Sequence, residues 1–161
     1  MRAVIQRVEH AKVTVEERTV ASMDSGLLVL LAAGQQDTES VADWMADKII
    51  NLRVFPDDAG KMNLSLKDTA GQMIVVSQFT LYGDCRKGRR PSFVGALEPD
   101  AASRLVDRFV LRVNESGIVC SQGVFGAHMK VDLLNDGPVT LLLDSAVSRH
   151  SAKGGFSVDN P

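Results

Sequence analysis

Residues 26–33, Gly-Leu-Leu-Val-Leu-Leu-Ala-Ala, are the longest strongly apolar run in the chain. A short, continuous run of this kind is typical of a strand that is buried on both faces of a sheet. It is far shorter than the roughly 20 apolar residues that a helix needs to cross a bilayer. The stretch therefore predicts a sheet inside a globular domain and argues against a membrane protein.

Two amphipathic helices are predicted on the C-terminal side of this strand. Asp37 and Thr38 are good N-caps for a first helix that ends near Asn51, and Pro99 at a first-turn position begins the second. Each helix carries an apolar stripe at helical spacing, formed by Val41, Trp44, Met45, Ile49 and Leu52 in the first and by Leu105, Val106, Phe109, Val110 and Val113 in the second.

Shorter apolar or alternating segments predict the remaining strands, because successive side chains of a strand point to opposite faces. Turn sequences separate them, at Pro56–Gly60, Lys67–Gly71 and Asn135–Pro138. The predicted strands are Arg2–Arg7, Lys12–Glu16, Met62–Leu66, Met73–Leu81, Ile118–Ser121, Met129–Leu133 and Val139–Leu143.

The 161 residues fit a single domain, and residues 1–144 carry all of the predicted strands and helices. This pattern predicts an α/β domain with a mixed sheet and two main helices. Ser145–Pro161 contain Gly154-Gly155 and no periodic apolar pattern, which predicts a flexible C-terminal tail. The N-terminus lacks the apolar segment of a signal peptide, so we expect a cytoplasmic protein.

The charge balance restricts where a nucleic acid could bind. Eighteen Lys and Arg residues against twenty Asp and Glu residues give a net charge of −2, whereas nucleic-acid-binding domains are usually basic. One segment is an exception, because Arg86, Lys87, Arg89 and Arg90 fall within five positions. Such a cluster favours contact with phosphates, although a charge run is more often a solvated loop. Phe93 nearby could add a stacking face.

The cysteine and histidine residues give no sign of a metal or disulfide site. Cys85 and Cys120 do not form a Cys-x-x-Cys motif, and the three histidines lack metal-ligand spacing with them. In a chain without an export signal we expect two free thiols. The sequence predicts no metal and no cofactor.

Ser77–Leu81, with the sequence SQFTL, ends an apolar strand in two hydroxyls and an amide. Such a strand end can supply a nucleophile, or backbone N–H groups that stabilise an oxyanion. An ordinary hydrogen-bonded strand edge explains the residue types as well. The sequence places no histidine near either hydroxyl, so a serine-hydrolase triad is poorly supported.

Asn135–Thr140, with the sequence NDGPVT, has the composition of a turn, and a tight hairpin is its simplest interpretation. A functional alternative depends on the Gly137-Pro138 bond, since X–Pro bonds are cis in about 5–6% of cases in folded proteins. A cis bond would direct two neighbouring carbonyls the same way, which suits the binding of a small ammonium group.

Together these segments resemble the D-aminoacyl-tRNA deacylases, along almost the whole chain. The resemblance rests on SQFTL and NDGPVT at the expected separation, and on four further strings in the same order. These strings are IQRV with Arg7, GKMN at Gly60–Asn63, RPSF at Arg90–Phe93 and GVFGAHM at Gly123–Met129. The family implies β/β/α layers or a barrel-like sheet. This chain departs from the family pattern after Asp144, where Ser145–Pro161 extend past the usual end.

The resemblance also implies a cytosolic homodimer that hydrolyses the ester between a D-amino acid and the terminal ribose of tRNA. The active sites would lie at the interface, where Gly137 and Pro138 of one subunit act in the site of the other. The expected catalytic segment is Ser77, Gln78, Phe79 and Thr80. Arg7 would orient the Gly-Pro segment, Phe125 and Met129 would line the pocket, and the basic cluster Arg86, Lys87, Arg89 and Arg90 would bind tRNA.

An ester is reactive enough that positioned water and oxyanion stabilisation can suffice without a strong base. We expect the N–H groups of Phe79 and Thr80 to be the oxyanion donors, with Thr80 orienting water rather than attacking. The ribose hydroxyl of the tRNA could assist. Carbonyls that hold the amino group would exclude an L side chain but admit glycine, so glycyl-tRNA mischarged on tRNA(Ala) is an expected second substrate.

Two other classes of function remain open at this stage. A hydrolase of small esters or amides could use Ser77 or Thr80 without RNA, although the basic cluster weighs against it. A non-catalytic RNA-binding module fits poorly with the acidic balance and with an aromatic content of only 5%.

Overall fold

The N-terminal segment forms one long strand, β1 (Arg2–Val15), in the computed structural model, which describes residues 1–147. The sequence predicted two strands here, Arg2–Arg7 and Lys12–Glu16. Glu9 and His10, which lie between them, are exposed, but the strand continues through them while its pairing with β8 shifts register. A β-bulge therefore takes the place of the predicted break.

The remaining elements alternate between strands and helices, as predicted for an α/β domain. Strand β2, which the sequence analysis missed, follows β1 after a tight turn. In chain order the elements are β2 (Arg18–Met23), β3 (Gly26–Ala32), α1 (Glu39–Ile50), β4 (Phe55–Pro56), β5 (Met62–Leu64), α2 (Leu66–Thr69), β6 (Gln72–Ser77), a 3-10 helix (Phe79–Tyr82), α3 (Pro99–Glu115), β7 (Cys120–Gln122) and β8 (Lys130–Asp144).

A six-stranded mixed sheet organises the domain. Strand β1 pairs antiparallel with β2, β3 and β8, whereas β6 pairs parallel with both β3 and β7. Strand β2 also comes close to β6 and β7, so the sheet curls into a nearly closed barrel. The barrel-like form of the predicted fold is confirmed, with α1 and α3 as its two main helices.

Strand β3 is buried on both faces, as its apolar run predicted. Leu27 and Leu31 face a core that contains the buried sides of α1 and α3, including Met45 and Phe109. Leu28 faces the second core, inside the curled sheet. Because neighbouring side chains of a strand point to opposite faces, β3 contributes side chains to both cores.

Both helices begin close to their predicted positions, and α1 also ends close to the predicted one. Thr38 is the N-cap of α1, which ends at Ile50, and Pro99 is the first residue of α3. The Glu98 carboxylate accepts hydrogen bonds from the N–H groups of Asp100 and Ala101, and so satisfies two donors at the start of α3.

The predicted hairpin at Asn135–Pro138 is wrong, because these residues lie within strand β8. The two predicted strands are one, which pairs with β1 over residues 130–135 and again over residues 140–144. Gln6 faces Thr140 and Val8 faces Asn135, so residues 136–139 bulge out opposite Arg7. The turn-forming residues therefore form a bulge within a strand, and the Gly137-Pro138 peptide is cis.

Two other predicted strands end earlier than the sequence suggested. The predicted strand Met73–Leu81 ends at Ser77, and a 3-10 helix follows it. The alternation at Met62–Leu66 ends as a strand at Leu64, because Ser65 and Asp68 form a reciprocal capping box that starts α2. Strand β7 begins at Cys120, two residues after the predicted start.

The chain beyond β8 starts with a packed residue. Ser145 is buried, and its backbone N–H donates to the Met1 carbonyl. Residues 145–147 form a helical turn. The rest of the predicted tail lies outside the described residues. Among residues 1–147 there is no helix of the length and apolarity that crossing a membrane requires.

Candidate active site

A cavity of about 460 Å³ opens where β3 and β6 end side by side. The two strands are parallel, so their carboxyl ends share one edge of the sheet, the usual place for a ligand in an α/β fold. Its wall is mostly apolar and comes from four segments, which are Leu31–Ala33, Val76–Phe79, Ala96–Val106 and Phe125–Val131.

Three residues of the predicted catalytic segment line this cavity: Ser77, Gln78 and Phe79. Ser77 is the last residue of β6 and lies opposite Leu31 of β3. The Gln78 N–H donates to the Leu31 carbonyl at 2.8 Å, after which the chain turns into the 3-10 helix. Phe79 is 58% exposed, and its ring meets that of Phe93 edge-on at 5.0 Å.

Thr80, the fourth residue of that segment, lies on the 3-10 helix outside the cavity wall. The Gln78 side-chain amide donates to its hydroxyl at 2.5 Å. The N–H groups of Phe79 and Thr80 start the helix, and neither has a hydrogen-bond partner among residues 1–147. Two unpaired donors therefore lie next to the cavity.

Phe125 and Met129, the predicted pocket residues, also line the cavity. Met129 packs on Gly123, where an added Cβ would lie 2.5 Å from the methionine sulfur. His128 also lines the cavity, although sequence reasoning placed no histidine near Ser77. The sequence did contain a signal for His128, because this residue belongs to the GVFGAHM string on which the family resemblance rests. No hydrogen bond joins His128 to a hydroxyl of the described chain, so the residues do not form a triad.

Gly137 and Pro138 are not part of the wall of this cavity. They lie in the β8 bulge next to Arg7, whose guanidinium is buried. Its Nη1 donates to the Val54 carbonyl, and its Nη2 lies 3.1 Å from where a Cβ on Gly137 would be. Gly137 also has φ +119°, a conformation that favours glycine. Within one chain, Arg7 therefore contacts the Gly-Pro segment, but the segment does not reach the cavity.

The basic cluster is an exposed loop that an antiparallel bridge between Asp84 and Ser92 closes. Arg86 binds the Asp84 carboxylate through two nitrogens, at 2.9 and 2.6 Å. These bonds hold the pKa of Asp84 at about 2. Arg86 is therefore largely neutralised, whereas no ion pair of the described chain involves the other three cations, Lys87, Arg89 and Arg90.

The two cysteines lie in different environments. Cys120 is buried in the core between α3 and the sheet, and desolvation raises the pKa of its thiol to about 12. Cys85 is exposed in the basic loop. No group of three metal-binding side chains occurs in residues 1–147.

Comparison with known sequences supports the family that the sequence motifs indicated. A family model described as D-Tyr-tRNA(Tyr) deacylase matches residues 4–144. The chain belongs to the D-aminoacyl-tRNA deacylase family. The resemblance in the sequence is thereby confirmed, and the protein is a hydrolase of this family. The D-aminoacyl-tRNA deacylase of Thermotoga petrophila is 57% identical over 91% of this chain and 98% of its own. That of Clostridioides difficile is 55% identical over 92% and 99%.

Two solved structures share the fold of this deacylase. The c-Myc DNA Unwinding Element Binding Protein is 37% identical, with a TM-score of 0.83 over 89% of this chain and 98% of its own. A structure described as a probable eukaryotic D-amino acid tRNA deacylase has a TM-score of 0.77 over 88% and 97%. At 18% identity, the second supports the fold alone.

Proposed function

We propose that this protein hydrolyses the ester bond of D-aminoacyl-tRNA to free D-amino acid and tRNA in the cavity described above. The observation that carries the proposal is that residues 77–79 of SQFTL and residues 125–129 of GVFGAHM, far apart in sequence, line the same cavity. Family membership over residues 4–144 supports the same reaction.

Backbone donors stabilise the reacting carbonyl in this proposal. The unpaired N–H groups of Phe79 and Thr80 bind the oxygen that becomes negative when water attacks the ester carbon. The bond to the ribose oxygen then breaks, and that oxygen takes up a proton. The Thr80 hydroxyl orients the attacking water with its partner Gln78, and the neighbouring ribose hydroxyl assists.

Each site is completed by a second copy of the chain. Gly137 and Pro138 lie outside the cavity of their own chain, on a strand that exposes Leu134, Leu141 and Leu142. Exposed apolar side chains grouped on one element are typical of an interface. In a two-fold dimer this strand brings the Gly137 and Pro138 carbonyls to the partner's cavity. Sedimentation of a fully active monomer at assay concentration would exclude this arrangement.

The Gly-Pro segment then selects chirality by exclusion. Its carbonyls hold the amino group of the substrate, and the same backbone blocks an L side chain. Glycine has no side chain to exclude, so glycyl-tRNA mischarged on tRNA(Ala) is a second substrate.

The exposed loop with Arg86, Lys87, Arg89 and Arg90 binds the tRNA phosphates. The protein acts in the cytoplasm, where translation uses the same aminoacyl-tRNAs.

The test is a deacylation assay on four substrates: D-aminoacyl-tRNA, L-aminoacyl-tRNA, glycyl-tRNA(Ala) and a free D-amino acid ester. Rapid release from the first and third, with little from the second and fourth, is expected. Equal rates on free ester and tRNA would indicate a small-ester hydrolase. Tight tRNA binding without release would indicate an RNA-binding module.

A further inference from the structure

The 3-10 helix that carries Phe79 and Thr80 has no buried residue among its four. Apolar burial fixes the position of most short elements, but here it contributes little. A single 3-10 turn is also weak on its own, because its hydrogen bonds are poorly aligned. Contacts from outside the helix must therefore hold it beside the cavity.

Arg2, the first residue of β1, makes three contacts, two of them at the C-terminal end of this helix and the third at the end of β8. Its Nη1 donates to the Leu81 carbonyl at 2.9 Å, and its Nε donates to the Asp144 carboxylate at 2.9 Å. Its guanidinium also lies 4.6 Å from the centre of the Tyr82 ring. A rigid planar fork suits this combination, since it can bond at its edge while it stacks on a ring.

Tyr82 is held from its other side as well. Its hydroxyl donates to the Asp37 carboxylate at 3.3 Å, and Asp37 accepts from the Gly34 N–H at 2.6 Å. Gly34 leaves room for the hydroxyl, because a Cβ there would lie 2.5 Å from it. The ring is thus enclosed between the guanidinium and the segment that follows β3.

We propose that Arg2 is a positioning residue of the active site, which fixes the 3-10 helix and so the N–H groups of Phe79 and Thr80. The link between this positioning role and ester hydrolysis rests on the proposed function. Arg2 is joined to the end of β8 through Asp144, so the helix is tied to the sheet. A misplacement of 1 Å in a catalytic group can cost about 10²-fold in rate, so loss of this tie affects turnover more than binding.

The first test compares kcat and KM for D-aminoacyl-tRNA in two variants at Arg2. Arg2→Met keeps the length of the side chain but removes every donor, and we expect kcat to fall about 10-fold or more with KM within about twofold. Arg2→Lys keeps the charge but not the fork, and we expect an intermediate kcat. The matched control is Lys12→Met, at an exposed position of the same strand, and should behave as wild type.

The second test measures amide hydrogen exchange and needs no activity. The N–H groups of Leu81 and Gly83 donate to the carbonyls of Gln78 and Thr80. In Arg2→Met we expect both to exchange about 10-fold faster, with the amides of β3 and β6 unchanged. This result would support the positioning role even if the proposed substrate were wrong.

Three results would overturn the inference. Slower turnover with unchanged exchange at Leu81 and Gly83 would mean that Arg2 acts on the substrate directly. Unchanged exchange and turnover would mean that the helix holds its place without Arg2. Faster exchange throughout β3 and β6 would mean that Arg2 supports the whole fold rather than the 3-10 helix.

Discussion

The Nε atom of Arg7 lies 2.8 Å from the Asp136 carboxylate, at the point where β8 bulges away from β1. The contact is an ion pair, too bent for a hydrogen bond. Arg7 is only 8% exposed and also donates to the Val54 carbonyl. A buried cation is stable only when it is paired, so Arg7, Asp136 and Val54 together fix the bulge that carries the Gly-Pro segment.

Replacing Arg7 by methionine should therefore lower both stability and activity. The Val54 carbonyl loses its donor and Asp136 its counter-ion, so the free energy of unfolding in urea should fall by about 1–3 kcal/mol. Deacylation should fall with it, because the bulge is no longer held. Arg18→Met, at an exposed position of β2, should change stability by less than about 0.5 kcal/mol. Equal losses in both variants would contradict a specific role for Arg7.

Replacing Thr80 by alanine should leave substantial deacylation. The variant loses the hydroxyl that Gln78 binds but keeps both backbone donors, and losing even one oxyanion donor typically costs about 10²–10³ in rate. Single-turnover rates on D-aminoacyl-tRNA measure this. A substrate that ends in 2′-deoxyadenosine should react much more slowly with either enzyme.

The competing mechanism makes the opposite prediction for the same variant. If Thr80 is a covalent nucleophile, the alanine enzyme lacks the attacking oxygen and falls to background while it remains folded. Mass spectrometry of the wild type should then find an acyl group on Thr80. Detection of that adduct would replace the water mechanism by a covalent one.

Neutralising Arg89 and Arg90 together should weaken tRNA binding and flatten its salt dependence. The slope should change by about 0.9 for each duplex phosphate that the variant no longer neutralises, or by about 0.7 for a single strand. Arg86→Gln should change it less, since Asp84 already neutralises that guanidinium. Binding isotherms from low to high salt measure the slopes. Identical slopes in wild type and double variant would show that the loop is merely solvated.

The two thiols should react very differently. In the native protein at pH 8 a disulfide reagent should modify Cys85 alone, because Cys120 is buried and its pKa is raised from 9.0 to about 12. The raised pKa means that folding favours the protonated thiol. Its contribution to stability is therefore complete below pH 9 and is lost as the pH rises from 9 towards 12. Cys120→Ala should remove this part of the alkaline decline, and rapid reaction of both native thiols would contradict the assignment.

Much of the fold follows directly from local patterns. The apolar run at residues 26–33 predicted a strand buried on both faces, and the two apolar stripes, with Thr38 and Pro99 at their starts, predicted α1 and α3. These predictions succeed because burial on one or both faces leaves a periodic record in the sequence. Two of the motifs that indicated the family, SQFTL and GVFGAHM, supply residues to the cavity wall.

Local patterns failed where pairing with a distant strand decided the conformation. Asn135–Pro138 has turn composition, yet pairing with β1 on both sides makes it a bulge within β8. The SQFTL segment continues the apolar pattern of β6 past Ser77, but it bends into a 3-10 helix where β3 also ends. In each case tertiary hydrogen bonding overrode the local preference.

The amino-acid sequence was enough to predict the family, the two main helices and the strand that is buried on both faces. Only the tertiary structure placed His128 in the cavity wall, kept Gly137 and Pro138 out of it, and joined Arg2 to Leu81 and Tyr82. The physical reason is how far apart in the sequence the contacting residues are. Periodicity records which face of an element is buried, whereas contacts between residues some 80 positions apart depend on how the sheet curls, which no local pattern specifies.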